Sequence, residues 1–200
     1  AVVELPRESV HYLAKSPLAS AIQILQADFL KLDLTTIFEG EFAVIGNFPY
    51  NISSQILFKI LEYKTHIRQA GGMFQKELAK RVSAQPGSKA YGVISVLLQA
   101  YYHIDYCFSV PPEAFNPPPK VDSGVIRLTR LEKSKVTGDE NQFKKVVKMA
   151  FAQRRKKLKN NLKAAFPHID FNAEAIFELR AENLSVEDFV WLTHYLNADR

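Results

Sequence analysis

Asn47-Phe48-Pro49-Tyr50 is the part of the chain whose residue types most directly propose a reaction. It follows an apolar run, 42–46, that reads as a strand buried on both faces. It precedes a helical stripe with apolar residues at 52, 56, 57, 60 and 61. A polar loop at the carboxyl end of a parallel strand is where open α/β sheets bind ligands. These residues suit an exocyclic aromatic amine such as N6 of adenine. The lone pair of that nitrogen is delocalised into the ring, which makes it a poor nucleophile. An amide oxygen and a backbone carbonyl accepting its two N–H bonds would favour the pyramidal, nucleophilic form. Asn47 supplies the first and the Phe48 carbonyl the second. Pro49 fixes its own φ and restricts Phe48. Tyr50 offers a face on which a base can stack, worth about 1–3 kcal/mol. No strong general base is required, because the proton leaves after the nitrogen has become cationic. The competing explanation is a strand-ending turn in which Asn and Pro serve only the backbone.

Two acids stand at comparable places. Glu4 closes a strand and Asp28 follows another. In a methyltransferase-type sheet the first would take the two ribose hydroxyls of a nucleoside donor, which a carboxylate can accept together. The second would take the adenine amine; each acid taken singly is more often a loop or helix-cap residue. Phe115 lies in the run Phe115-Asn116-Pro117-Pro118-Pro119-Lys120-Val121-Asp122-Ser123, a stiff loop that can present an aromatic ring at small entropic cost. It either covers the other face of a target base or plugs the loop into the core. The formal net charge of +5 is concentrated: residues 130–163 carry 12 basic and 3 acidic side chains, whereas 164–200 carry 2 and 7. The densest part is Arg154, Arg155, Lys156, Lys157, Lys159 and Lys163, on a stretch where Phe151, Leu158, Leu162 and Phe166 recur near helical spacing. Such a face suits phosphates, or is a solvated lysine-rich helix.

The elements that must position these residues alternate. Strands are expected at 2–5, 22–25, 42–46 and 72–75, with helices at 6–15, 52–63, 76–83 and 91–100. Two further strands, 102–110 and 121–131, flank the proline-rich turn and have no room for a helix between them, so they should pair antiparallel. From 139 onward the pattern is helical, at 142–155, 157–166, 174–179 and 186–196, with Ser185 and Asp188 forming a capping box. The expected organisation is an α/β domain over 1–131, a polar linker over 132–140 and a helical domain over 141–200. A single cysteine, Cys107, excludes an internal disulfide framework and fits a reducing, cytoplasmic compartment. No apolar run approaches the roughly 20 residues that span a bilayer, so no membrane partner is expected. Nothing in the sequence asks for a metal.

Five ordered blocks carry a resemblance. Asn47-Phe48-Pro49-Tyr50-Asn51-Ile52-Ser53-Ser54 resembles an N-L-P-Y-N-I-S-S signature, Gln75-Lys76-Glu77-Leu78-Ala79-Lys80-Arg81 a Q-K-E-V-A-x-R block, and Tyr91-Gly92-Val93-Ile94-Ser95-Val96 a Y-G-x-L-S-V block. The proline loop and Phe151-Ala152-Gln153-Arg154-Arg155-Lys156-Lys157-Leu158 match as well. Together they resemble the bacterial small-subunit rRNA adenine dimethyltransferases over nearly the whole chain. The resemblance implies a Rossmann-like methyltransferase domain with a small helical C-terminal domain. It implies transfer of four methyl groups from S-adenosylmethionine to two adjacent adenosines near the 3′ end of 16S rRNA, in an assembling small subunit. Glu4, Asp28, Phe29 and Asn47 become donor-binding residues; Asn47, Phe48, Pro49, Tyr50 and Phe115 become the target-adenine site, and the basic cluster contacts RNA. Two departures stand out. The family's glycine-rich loop lies upstream of the acid matched by Glu4, where only Ala1-Val2-Val3 stands here. That leads to the expectation of a truncated start, with donor binding weakened or lost and the chain impaired or inactive, and of two exposed sheet edges open to self-association. Pro6 also replaces the Asp usual two residues after the ribose acid. The competing functions are a non-catalytic RNA-binding assembly factor and a 23S rRNA methyltransferase.

Overall fold

The computed structural model describes residues 1–17 and 19–198. β1 (Val2–Glu4) leads through α1 (Arg7–Ala14) to β2 (Ile24–Gln26), and the two strands pair in parallel. Pro6 precedes α1 with φ −68°, as suits a helix start. A second sheet contains β3 (Phe42–Asn47), β4 (Ile67–Gln75), β5 (Tyr102–Val110) and β6 (Ser123–Arg130) in the order β3-β4-β6-β5. β3 and β4 are parallel, and β6 runs antiparallel to both β4 and β5. The last pair is thus antiparallel, as the short connection between them requires. Among the described residues, β1 and β3 each pair on one side only.

The helices of this part are α2 (Ser53–Glu62), α3 (Lys76–Val82) and α4 (Val93–Gln99). α2 buries Ile56, Leu57 and Ile60, the i, i+1, i+4 stripe read from the sequence. Ser95 of α4 donates to the Arg81 carbonyl at 2.5 Å, and Gln99 donates to the carbonyls of Val82 and Ala84. These bonds satisfy the carbonyl end of α3.

One strand corrects its expectation. β3 is not buried on both faces: Phe42, Val44 and Gly46 turn inward, while Ala43, Ile45 and Asn47 are exposed, Ile45 by 89%. Side chains alternate along a strand. Nothing among the described residues covers the second face, so an apolar run here did not imply two buried sides.

The C-terminal part consists of α5 (Glu140–Ala150), α6 (Leu158–Leu162) and α7 (Val186–Asn197), with short 3₁₀ turns at Ala175–Glu178 and Ala181–Asn183. Asp139 caps α5, accepting from Asn141 N and Gln142 N at 2.7 and 3.2 Å. The Ser185–Asp188 capping box starts α7. The helix expected over 142–155 stops at Ala150, and the one over 157–166 shortens to α6. Asn161 explains the break, since its Nδ2 donates to the Ala150 and Gln153 carbonyls at 2.6 and 3.3 Å. Leu158 N then bonds the Leu179 carbonyl, and Lys157 bridges to Arg180. The run expected at 174–179 forms only a 3₁₀ turn. Tyr91, Phe151 and Phe189 form an aromatic chain between the sheet part and these helices, with ring centroids 6.4 and 5.8 Å apart.

Candidate active site and basic surface

The Asn47–Tyr50 loop is anchored at four points. Asn47 ends β3 opposite Met73, and Phe48 N donates to the Met73 carbonyl at 3.3 Å. The Phe48 ring stacks on Phe74 at 5.0 Å and lies over two glycines. A Cβ at Gly46 would stand 2.8 Å from that ring. One at Gly72 would stand 2.5 Å from it and 2.4 Å from the Gly46 carbonyl oxygen. The Pro49 carbonyl accepts from Ser53 Oγ at 3.0 Å, which ties the loop to the first turn of α2. Finally, the Tyr50 hydroxyl bonds Ser123 Oγ, a fully buried group at the start of β6. The exposed Asn47 amide makes no hydrogen bond within the protein among the described residues. A plain backbone-serving turn would engage that amide, and this one leaves it free.

Lys76 binds the end of the proline loop, through its Nζ to Asp122 Oδ2 at 2.7 Å and its N to the Asp122 carbonyl at 2.9 Å. The Asn-Phe-Pro-Tyr loop, the start of α3 and the 115–123 loop therefore meet, although they are far apart in the chain. Phe115 is half-buried and lies outside the apolar core, so it does not plug the loop into that core.

The two acids sit together on the other sheet. Glu4 pairs with Gln26, Ala27 N donates to the Glu4 carbonyl at 3.1 Å, and Asp28 follows directly. The Asp28 turn is partly self-serving: Oδ1 accepts from Leu30 N at 3.0 Å, and its backbone carbonyl accepts from Lys31 N and Leu32 N. Oδ2 is 4.0 Å from the exposed Lys31 ammonium. Phe29 packs partly against the core. Glu4 is half-buried and has no ion-pair partner among the described residues. A carboxylate with both oxygens open suits a diol, so these residues fit a nucleoside donor.

The basic cluster divides into engaged and free cations. Arg154 donates to Glu182 at 2.8 Å and to the Lys89 carbonyl, joining the helical part to the α3–α4 connection. Lys157 and Lys159 both clasp Glu178, the first at 2.6 Å. Arg155, Lys156 and Lys163 are exposed and make no ion pair among the described residues. Arg154 and Arg155 share a cleft of about 570 Å³ with Arg81, Lys89 and Arg180, beside Glu77 and Glu182. Sequence reasoning did not assign Arg81, Lys89 or Arg180 to this surface, because each lies outside the 154–163 basic run.

The clasp on Glu178 has a pH signature. Hydrogen bonds from Lys157 and then Lys159 hold its carboxyl at about 2. A depressed carboxylate contributes when ionised, so the clasp should be complete at neutral pH and be lost as the pH falls toward 2. Carbon-detected NMR titration of the Glu178 carboxyl is expected to show that low midpoint. An ordinary glutamate midpoint would mean that Lys157 and Lys159 are free in solution.

A partly parallel sheet with a late antiparallel strand inserted beside β4, and an Asn-Phe-Pro-Tyr loop at the carboxyl end of β3, defines a Rossmann-like methyltransferase. Two solved structures share the fold: a dimethyladenosine transferase from Plasmodium falciparum (TM-score 0.80, 24% identity, 95% of this chain and 78% of that one) and the 23S rRNA methyltransferase ErmE (TM-score 0.73, 23% identity, 98% and 80%). The chain belongs to the ribosomal RNA adenine dimethylase family, whose model matches residues 1–198. It is 51% identical to the ribosomal RNA small subunit methyltransferase A of Parabacteroides distasonis over 193 residues, 96% of this chain and 73% of that protein. It is 49% identical to the protein of the same name from Cytophaga hutchinsonii, over 98% of this chain and 76% of that one. Family membership makes it an rRNA adenine dimethyltransferase and implies S-adenosylmethionine as the methyl donor. Among the described residues, no helix is long and apolar enough to cross a membrane.

Proposed function

We propose that this protein dimethylates N6 of two adjacent adenosines near the 3′ end of small-subunit rRNA during subunit assembly, with the Asn47 loop as the acceptor site. The observation that carries this reading is the free Asn47 amide on a loop otherwise fastened through Phe48, Pro49 and Tyr50. The Asn47 oxygen and the Phe48 carbonyl accept the two N–H bonds of the target amine, which localises its lone pair. Tyr50 and Phe115 stack on the base. Glu4 accepts the donor's ribose hydroxyls and Asp28, with Phe29 beside it, takes the adenine. S-adenosylmethionine, when bound, supplies an electrophilic methyl on a sulfonium. The amine lone pair, localised by Asn47 and the Phe48 carbonyl, would be the nucleophile toward that methyl, and the C–S bonding pair would leave with sulfur. The amine then loses a proton to water. Fixed acceptors aimed at developing charge need no reorganisation during the reaction.

The decisive experiment is transfer of labelled methyl to small subunits that lack the modification, offered together with large subunits, with the product mapped on the rRNA. Dimethyladenosine at two adjacent positions supports the reading. Label confined to large-subunit rRNA, or absent, overturns it.

The free cations should carry the RNA affinity. Replacing Arg155 and Lys156 together by Gln is expected to lower the slope of log affinity against log salt by about 1.4–1.8, because each phosphate contact contributes roughly 0.7–0.9. Lys157→Gln should change it little, because Lys157 already serves Glu178. Filter binding across a salt series distinguishes these outcomes, and a slope change in Lys157→Gln as large as half that of the double variant would contradict the division into engaged and free cations.

A further inference from the structure

Lys59 is a buried lysine to which the mechanism above gives no task. It is only 7% exposed. A buried ammonium is costly unless its protons are satisfied, and an apolar side chain would fill this face of α2 more cheaply. Its Nζ donates to the Leu30 carbonyl at 3.0 Å and lies 4.9 Å from the centre of the Tyr63 ring. Tyr63 stands four residues on, hence on the same helix face, and donates its hydroxyl to Asp33 Oδ1 at 3.2 Å. That carboxylate also accepts from Thr35 N and Thr35 Oγ1, at 3.0 and 2.7 Å. The end of α2 thus grips the segment after β2 at two points. Leu30 is the residue whose N–H closes the Asp28 turn. The other end of α2 begins at the acceptor loop, where Ser53 bonds the Pro49 carbonyl. Lys59 joins the acceptor side of the site to the donor side, roughly 9 Å along a rigid helix from Ser53.

We propose that Lys59 is a positioning residue for the methyl donor: its bond to the Leu30 carbonyl sets the Asp28 turn relative to α2, and hence relative to the Asn47 loop. This rests on the reading of Asp28 as a donor contact. A bond from a charged donor that matters only for binding should appear in the donor's KM and leave kcat unchanged. Lys59→Met keeps length and apolar contact with Tyr63 but cannot donate. It is expected to raise the donor KM about tenfold, with kcat at saturating donor within about twofold of the parent. Lys59→Arg, which can still donate to the carbonyl, should stay within about threefold of the parent KM.

The test is steady-state methyl transfer with varied S-adenosylmethionine, together with calorimetric donor titration and thermal unfolding of each variant. An unchanged donor KM in Lys59→Met overturns the proposal, as does a fall confined to kcat. If Lys59→Met does not fold, Lys59→Arg decides: parent-like KM supports the proposal and a tenfold rise overturns it. Asp28→Asn separates the two levels. A parent-like KM in Asp28→Asn defeats the donor-site reading itself. A raised KM in Asp28→Asn beside an unchanged one in Lys59→Met defeats only the role of Lys59.

Discussion

Asn47→Ala is expected to lower methyl transfer about 100- to 1,000-fold while leaving the fold intact. The magnitude is that of removing one preorganised hydrogen-bonding group from a site where charge develops. The stability expectation follows from the structure. Asn47 is exposed, ends its strand and makes no side-chain bond within the protein among the described residues, so its truncation should change stability by no more than about 0.5 kcal/mol. Single-turnover methyl transfer and urea unfolding, measured on the same preparation, check both halves. A parent-like rate would remove Asn47 from the reaction. A large loss of stability would mean that its amide serves the protein and not the substrate.

Gly72→Ala should damage both the sheet and the site. The new Cβ would meet the Gly46 carbonyl oxygen at 2.4 Å and the Phe48 ring at 2.5 Å. Neither group can yield cheaply: the carbonyl belongs to the partner strand in register, and the ring is pressed on Phe74. Overpacking of this kind costs about 1–3 kcal/mol. Displacing Phe48 also displaces Asn47 beside it, and a shift of about 1 Å in a positioning group can cost roughly 100-fold in rate. The urea midpoint should therefore fall with an unchanged slope, and methyl transfer should fall with it. Phe48→Leu in the same background removes the ring contact and should recover part of both losses, a coupling expected only of groups that touch. Independent effects of the two substitutions would show that Phe48 does not sit where the structure puts it.

The sequence by itself determined most of the elements and singled out the Asn47–Tyr50 loop. Strand and helix alternation, the capping box at Ser185 and the antiparallel final strands depend on neighbours in the chain or on the length of a connection, and both are visible in one dimension. Asn47-Phe48-Pro49-Tyr50 was legible because its residues stand side by side in the chain. Only the tertiary structure decided which of the basic residues are free, because Glu178 and Glu182 neutralise partners about 20 or more residues away. It also decided that the basic stretch is broken by Asn161 and the Leu158–Leu179 bond, that Ile45 faces outward, and that Phe48 needs two glycines from neighbouring strands. These outcomes share one physical cause. Ion pairs, close approaches and burial are set by distances of a few ångströms between residues remote in sequence, and no local pattern encodes those distances.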